Sequence, residues 1–129
     1  MRRREVDPTL DAILALHEGG KTRMTSRLRL RTLEQLRQVY TPGVAQVSRL
    51  IEAEPDKYYD YTSAGDTVAV ITNGTAVLGL GDVGVKAAMP VMEGKSVILM
   101  EMVDVASVPL LVESRDAARI IDTVEAVAP

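Results

Sequence analysis

The dipeptide Asn73-Gly74 is the feature that most narrows what this chain can fold into. It separates two β-branched or apolar runs, Thr67–Thr72 and Thr75–Leu80. A type I′ turn needs positive φ at both central residues, and Asn-Gly meets that demand especially well. The pattern therefore predicts a β-hairpin over residues 67–80, followed by a loop from Gly81 to Gly84.

Downstream of the hairpin, the pattern alternates between helix and strand. Apolar residues near helical spacing, and a proline suited to a first turn, favour a helix over residues 90–103, although a strand also fits. Val108–Val112 indicates a buried strand, and Ser114 is expected to cap a final helix. The strand–helix–strand order predicts a parallel crossover beside the hairpin. The expected fold class is α/β, with a small mixed β-sheet packed with helices.

The N-terminal segment is predicted to be helical. Asp7 and Pro8 are typical of the cap and first position of a helix, which Gly19-Gly20 would end. Thr32 and Gln35 form a capping-box pattern that opens a second, short helix. Residues 21–31, between the two helices, are basic and expected to be irregular.

Composition limits the size of the protein and its chemistry. The 129 residues suffice for one domain over 1–129, which we divide into a basic helical arm (1–31) and an α/β core (32–129). The sequence has no cysteine and one histidine, which excludes disulfides, zinc–thiolate sites, thiol nucleophiles and a metal site built on histidines. It has no Phe or Trp, so Leu, Ile, Val, Met and Ala must build the core.

Charge is distributed unevenly along the chain. The net charge is -3, yet residues 1–37 carry nine of the 15 Lys and Arg. The basic residues of the arm are Arg2, Arg3, Arg4, Lys21, Arg23, Arg27, Arg29 and Arg31. This arm could touch RNA or acidic lipid, but no aromatics interleave with the arginines, which favours a solvated face or a contact with a second copy. We expect no nucleic-acid partner, no membrane span, no signal peptide and a cytoplasmic location.

Residues 79–84 fit the pattern G-x-G-x-x-G directly after a predicted strand. As a dinucleotide fingerprint, they would place a pyrophosphate at the start of the following helix. The predicted hairpin before them, and the small number of further strands, argue against that interpretation. The alternative, which we favour, is that the glycines serve backbone geometry.

Two side chains, Tyr40 and Lys95, could carry chemistry. Tyr40 lies at a junction, because Thr41-Pro42 restarts a helix that ends before Pro55, and such a tyrosine is more often packed than catalytic. Lys95 lies on a mostly apolar predicted helix, where desolvation by its neighbours would suit a general base. Snorkelling at the surface is the commoner outcome for a lone lysine. Lys86 is expected in a solvated, polar turn.

Four stretches together resemble one family. They are Tyr40-Thr-Pro-Gly-Val-Ala45, Tyr59-Asp-Tyr-Thr62, the run from Val68 to Gly84, and Ala88-Met-Pro-Val-Met-Glu-Gly-Lys95. They resemble the N-terminal domain of the malic enzymes, in particular the small bacterial and archaeal type. That family oxidatively decarboxylates L-malate to pyruvate and carbon dioxide with NAD or NADP and a divalent metal, Mg or Mn.

The resemblance implies roles for two residues. Tyr40 matches the tyrosine that donates a proton to the enolpyruvate carbon after decarboxylation. Lys95 matches the lysine that contacts the substrate and takes its hydroxyl proton. Two departures stand out: Ala76 occupies the position of a malate-binding arginine in the larger eukaryotic enzymes, and Asn73 stands where Asp is common.

The resemblance also implies that part of the enzyme lies beyond this chain. The family's acidic metal ligands and its NAD(P)-binding domain would follow Pro129, so we expect no metal or cofactor bound to this chain alone, and no activity of it alone. Its partners would be malate or pyruvate, that missing domain, and a second copy in a dimer. The alternative function is a stand-alone ligand-binding or protein-interaction module that retains the fold.

Overall fold

The computed structural model describes residues 9–128. The helices in these residues are α1 (Leu10–His17), α2 (Leu33–Val39), α3 (Val44–Ala53), α4 (Lys57–Tyr61), α5 (Gly84–Val103) and α6 (Ala117–Val127). A short 3₁₀ helix (Ser63–Asp66) precedes strand β1 (Thr67–Thr72), and strand β2 is Ala106–Leu111. The chain divides into two compact units: a first unit made of the described parts of Met1–Arg23 and Ala69–Pro129, and a second unit, Met24–Val68.

The first unit is built on a strand–helix–strand crossover. Strands β1 and β2 form a two-stranded parallel sheet, continued by a 2.9 Å hydrogen bond from the Val112 N–H to the Thr72 carbonyl. Helix α5 connects the strands and packs against β2. Its buried face carries Ala88, Met92 and Ser96, four residues apart and therefore on one side of the helix. The α/β class and the parallel crossover predicted from sequence are confirmed.

A serine pair fixes α5 against β2. Ser96 is fully buried, and its Oγ donates to the Met92 carbonyl at 3.1 Å. The Ser107 Oγ on β2 lies 2.9 Å from the Ser96 Oγ. Because the Ser96 proton is already donated, the Ser107 hydroxyl supplies the proton between the two serines. This hydrogen bond stabilises the buried contact between helix and strand.

The predicted hairpin is wrong. Only β1 of its two arms is a strand, and Asn73 does not adopt the positive φ that a type I′ turn requires. Instead the Asn73 Oδ1 accepts from the Thr75 hydroxyl at 2.7 Å, and its Nδ2 donates to the Ser114 carbonyl at 3.1 Å. Residues 75–83 fold into a loop, within which Val77 and Gly81 make an isolated bridge. Since β1 pairs with β2, the order after residue 66 is β–α–β–α.

Two helix starts also differ from expectation. Helix α5 begins at Gly84, so Pro90 lies in its interior, where it offers no N–H to the Lys86 carbonyl. Helix α6 is capped by Asp116, whose Oδ1 accepts from the Ala118 N–H at 2.9 Å. The predicted cap, Ser114, lies in the turn before it and accepts from the Asp116 N–H at 3.1 Å.

The start of α1 is capped by Thr9, whose hydroxyl accepts from the Ala12 N–H at 3.3 Å. The predicted cap and first position, Asp7 and Pro8, lie outside the described residues. The helix ends at His17, just before Gly19-Gly20, as predicted.

The second unit consists of short helices and their connections. The capping box of Thr32 and Gln35 that opens α2 is confirmed. Helix α3 packs on α4, and α4 contacts the 3₁₀ helix. The Asp60 carboxylate, 2.9 Å from the Lys57 Nζ, raises the pKa of that exposed ammonium through a hydrogen bond and its charge.

Candidate active site

Tyr40 lies between two helices of the second unit. Its backbone N–H donates to the Leu36 carbonyl at 2.9 Å and ends α2, while its carbonyl accepts from the Val44 N–H at 2.7 Å and leads into α3. The side chain is 67% exposed. The interpretation of Tyr40 as a packed junction residue is therefore wrong, because both neighbouring helices hold its backbone and leave its ring in solvent.

Gly43 explains why the chain can reverse directly after Tyr40. The Thr41–Pro42 peptide bond is cis, and the Gly43 N–H donates to the Arg37 carbonyl at 2.8 Å. A Cβ at Gly43 would lie 2.2 Å from the carbonyl oxygen of Gln38. Only glycine lets these two backbone segments approach so closely, which fixes the position of Tyr40 at the end of α2.

Lys95 lies on the outward face of α5 in the first unit. The Ala88, Met92 and Ser96 stripe is buried, and Lys95 lies at the edge of this stripe. Lys95 is exposed, as are Val91 and Ile98 on either side of it along the helix. The expectation that neighbours on its own helix desolvate Lys95 is wrong for the described chain, because the side chain is exposed although those neighbours are apolar.

Lys86 is solvated, as expected, but it lies in the first turn of α5 and not in a turn between elements. It therefore shares with Lys95 the same helix, the same charge and an exposed side chain. This makes Lys86 a matched control for experiments on Lys95.

The glycine-rich loop, residues 79–84, leads into the N-terminus of α5. The predicted hairpin was one argument against a dinucleotide site here, and that argument no longer holds because residues 67–80 do not form the hairpin. A different observation supports the same conclusion. The Asp82 Oδ1 accepts from the Gly84 N–H at 3.2 Å, and its Oδ2 pairs with Arg115 at 2.6 Å. A carboxylate thus already occupies the helix end that would attract a phosphate. That the glycines serve backbone geometry stays a prediction.

A cleft of about 220 Å³ lies beside this helix end. It is located where both parallel strands end, the usual position of ligand sites in α/β sheets. Its lining residues are Asn73, Thr75, Asp82, Gly84, Val85, Glu113, Ser114 and Arg115. Neither Tyr40 nor Lys95 lines it.

Sequence reasoning missed the surroundings of Lys21, which it assigned to a solvated basic face. In the structure the Lys21 Nζ donates to the Pro90 carbonyl on α5 at 2.6 Å. The sequence feature that could have indicated this contact is Gly94, because a glycine leaves space for another side chain on the surface of α5. A Cβ there would lie 3.6 Å from the Lys21 Nζ.

Two classes of feature are absent from residues 9–128. They contain no group of three or more His, Asp or Glu side chains arranged to hold a metal ion. None of the helices described has both the length and the apolar character needed to cross a membrane.

Comparison with known proteins identifies the family. A family described as malic enzyme, N-terminal domain, matches residues 19–123. The chain belongs to this family. The matched range contains both Tyr40 and Lys95.

Curated relatives are malic enzymes. The chain is 47% identical over 119 residues to NAD-dependent malic enzyme 1 of Bacillus subtilis, covering 92% of this chain and 27% of that protein. It is 40% identical over 126 residues to an NADP-dependent malic enzyme of Escherichia coli, covering 95% of this chain and 17% of that protein. The chain thus spans about a quarter or less of the length of these relatives.

Solved structures agree with this assignment. The malic enzyme of Pyrococcus horikoshii matches with a TM-score of 0.88 at 35% identity, covering 91% of this chain and 28% of that chain. The NAD-dependent malic enzyme of Thermotoga maritima matches with a TM-score of 0.86 at 38% identity, covering 92% of this chain and 34% of that chain.

Proposed function

We propose that this chain is the substrate-side part of an NAD(P)-dependent malic enzyme, which converts L-malate to pyruvate and carbon dioxide. The observation that carries the proposal is the family match over residues 19–123, which includes Tyr40 and Lys95 within their motifs. Relatives named as NAD-dependent and as NADP-dependent match alike, so the proposal covers both cofactors.

Lys95 is the proposed base. In its neutral form, the amine accepts the proton of the malate hydroxyl during oxidation, and in its charged form it attracts the substrate's carboxylates. Its exposure in the described chain means that the water around it has to be displaced by substrate and by the rest of the longer protein. That displacement brings the amine into direct contact with the malate hydroxyl.

Tyr40 is the proposed acid. After carbon dioxide has left, its hydroxyl donates a proton to the enolpyruvate carbon, which yields pyruvate. The backbone contacts that hold Tyr40 at the end of α2 leave its hydroxyl accessible to a substrate. An accessible, positioned donor is what general acid catalysis needs.

The cofactor and the divalent metal, Mg or Mn, are assigned to the remainder of the longer protein. Residues 9–128 do not offer a fitting set of metal ligands. The nicotinamide cofactor would supply the hydride acceptor, and its binding is not assigned to the glycine-rich loop. No step of the proposed roles of Tyr40 and Lys95 depends on a metal contact within this chain.

A chimaeric enzyme tests the proposal. Residues 9–128 replace the corresponding segment of NAD-dependent malic enzyme 1 of Bacillus subtilis, and malate-dependent formation of NADH is measured with Mn. We expect activity, with the unaltered host enzyme as the positive control. A chimaera that is folded, as judged by circular dichroism and a cooperative melt, yet inactive would favour a binding module instead.

Variants of the two lysines test the role of Lys95 in that chimaera. Lys95→Ala should reduce kcat by at least about a hundred-fold and weaken malate binding, because it removes both base and charge. Lys95→Arg should not restore turnover, since a guanidinium stays protonated. Lys86→Ala is the matched control and should change neither parameter. Substantial activity of Lys95→Arg would show that the residue contributes only its charge.

The proposal extends to a dimer through the N-terminal helices. Helix α1 exposes Leu10, Leu14 and Leu16, and α2 exposes Leu33 and Leu36. Exposed apolar side chains on helices are suited to burial against another chain. Sedimentation equilibrium should give twice the monomer mass, whereas a monomer at high micromolar concentration would contradict this part of the proposal.

A further inference from the structure

Lys21 connects α1 with α5 within the first unit. Its Nζ donates to the Pro90 carbonyl at 2.6 Å and lies 2.9 Å from the His17 Nε2. Its backbone N–H donates to the Glu93 Oε2 at 3.3 Å. Two of these three contacts are to the turn of α5 that directly precedes Lys95.

The surrounding chain leaves room for this contact. Gly20 has a φ of +82°, and a Cβ there would lie 2.9 Å from the Glu93 Oε1. Gly94 presents no side chain to the Lys21 ammonium, which lies 3.6 Å from where its Cβ would be. Among the ion pairs of the part of the chain that the structure describes, none includes Lys21. A carbonyl oxygen and an imidazole nitrogen therefore receive the protons of its ammonium.

The protonation state of His17 follows from its two contacts. The His17 Nδ1 lies 2.9 Å from the Ile13 carbonyl, which can only accept, so Nδ1 carries the proton. The Lys21 ammonium can only donate, so Nε2 has to offer its lone pair. Both contacts are satisfied only by the neutral imidazole. A second proton on the ring would remove the acceptor and place two cations face to face.

Three carboxylates lie near this pair. Glu93 approaches from α5, and Asp11 and Glu18 border the same groove as His17. Among the described residues, none of these carboxylates pairs with His17 within 4 Å. The Lys21 ammonium, 2.9 Å from the His17 Nε2, is the nearer charge.

We propose that Lys21 is a positioning residue for Lys95, holding the Pro90–Gly94 turn of α5 through a contact that requires neutral His17. The functional consequence rests on the proposed function, whereas the contact itself is a property of this chain. When the His17 ring takes up a second proton, its Nε2 no longer accepts from Lys21, so the contact is lost and the turn relaxes.

Nuclear magnetic resonance on the 129-residue chain tests the contact. Between pH 5.5 and 8, above the range in which carboxylates ordinarily titrate, the amide signals of Glu93, Gly94 and Lys95 should move together with the His17 ring signals. Lys21→Met should abolish that movement, while Lys86→Met should leave it unchanged. His17→Gln should hold the amide signals constant, and it decides the matter if Lys21→Met does not fold.

Two results would overturn the proposal: amide signals that stay fixed while His17 titrates, or signals that move equally in Lys21→Met.

In the active chimaera, Lys21→Met should lower kcat by about ten- to a hundred-fold, the range expected when a reacting group is displaced slightly. His17→Gln should flatten the acid side of the pH profile of kcat. An inactive parent chimaera would overturn the proposed function alone, because the resonance experiment does not depend on turnover.

Discussion

At the scale of single residues, the candidate acid and base are held by their backbones and not enclosed by side chains. Tyr40 is fixed by hydrogen bonds to two helices, and Lys95 by its place on α5 at the edge of the buried stripe. Both side chains are exposed. The described chain therefore fixes the backbone positions of the two residues but does not enclose their side chains. The low-dielectric environment that strengthens acid–base chemistry has to come from other groups.

Removing only the hydroxyl of Tyr40 tests its role. Tyr40→Phe in the chimaera keeps the ring but removes the proton donor, so kcat should fall by about a hundred- to ten-thousand-fold, while the Michaelis constant for malate changes little. Steady-state kinetics with malate provide the measurement, and Tyr59→Phe, an exposed tyrosine of the same unit, is the control. An effect confined to the Michaelis constant would make Tyr40 a residue that positions substrate.

Short-range signals at this scale were predictable from sequence. The capping box of Thr32 and Gln35 depends on residues three apart, and it forms as predicted. The cap of α6 was assigned to Ser114 instead of Asp116 because both residue types cap helices equally well. The local sequence does not show whether Ser114 or Asp116, two residues apart, accepts from the free N–H groups at the start of α6.

At the scale of secondary-structure elements, the sequence could not show which segment pairs with β1. Asn73-Gly74 favours a turn in any context, but the Asn73 amide bonds to the Ser114 carbonyl, 41 residues later in the chain. The Asn73 amide accepts from Thr75 and donates to Ser114 at once, which an ionised aspartate at this position could not do. Pairing of β1 with β2 then takes the place of pairing within a hairpin.

Two glycines of this loop offer a matched test of its packing. Gly74 and Gly79 both have positive φ, at +73° and +80°. A Cβ at Gly74 would lie 2.3 Å from the Gly84 carbonyl carbon, whereas at Gly79 it would meet nothing within 4 Å. Gly79→Ala should therefore cost about 1–2 kcal/mol in the free energy of unfolding, the backbone strain alone. Gly74→Ala should cost at least twice as much, and equal losses in urea denaturation would contradict the packing of Gly74 on Gly84.

The serine pair between α5 and β2 provides a second test at this scale. Ser96→Ala should destabilise the chain by about 1–2 kcal/mol, because it removes a hydrogen bond and strands the Ser107 hydroxyl. The double variant Ser96→Ala/Ser107→Ala should cost less than the two single losses added together. Additive losses in urea denaturation would show that the two hydroxyls do not interact.

At the scale of the whole molecule, local patterns predicted five of the six described helices and the crossover, and the resemblance predicted the family. The α/β class followed from residues 84–127, where helix and strand signals alternate, although residues 90–103 also fitted a strand. The exposure of Lys95 did not follow, because the helix that carries it is apolar on two faces and sequence alone does not show which face is covered. Packing against β2 decides that question, through Ser96 and Met92.

The chain alone should have no malate-dependent activity. Residues 9–128 lack a fitting group of metal ligands, and the chain spans about a quarter of its Bacillus subtilis relative. We expect no reduction of NAD or NADP by the purified 129-residue protein with malate and Mn, measured at 340 nm with the active chimaera as the control. Turnover that scales with the concentration of the purified chain would disprove this.

The Asp82 carboxylate at the start of α5 has a consequence for how glycine-rich sequences are interpreted. This helix carries its own counter-ion, held there by a hydrogen bond to Gly84 and by the Arg115 guanidinium. A phosphate at that helix end would be repelled by the Asp82 carboxylate. It would also find the Arg115 guanidinium already paired with Asp82. An acidic residue inside the motif therefore distinguishes a self-neutralised helix from a phosphate-binding one, even where the glycine spacing is identical.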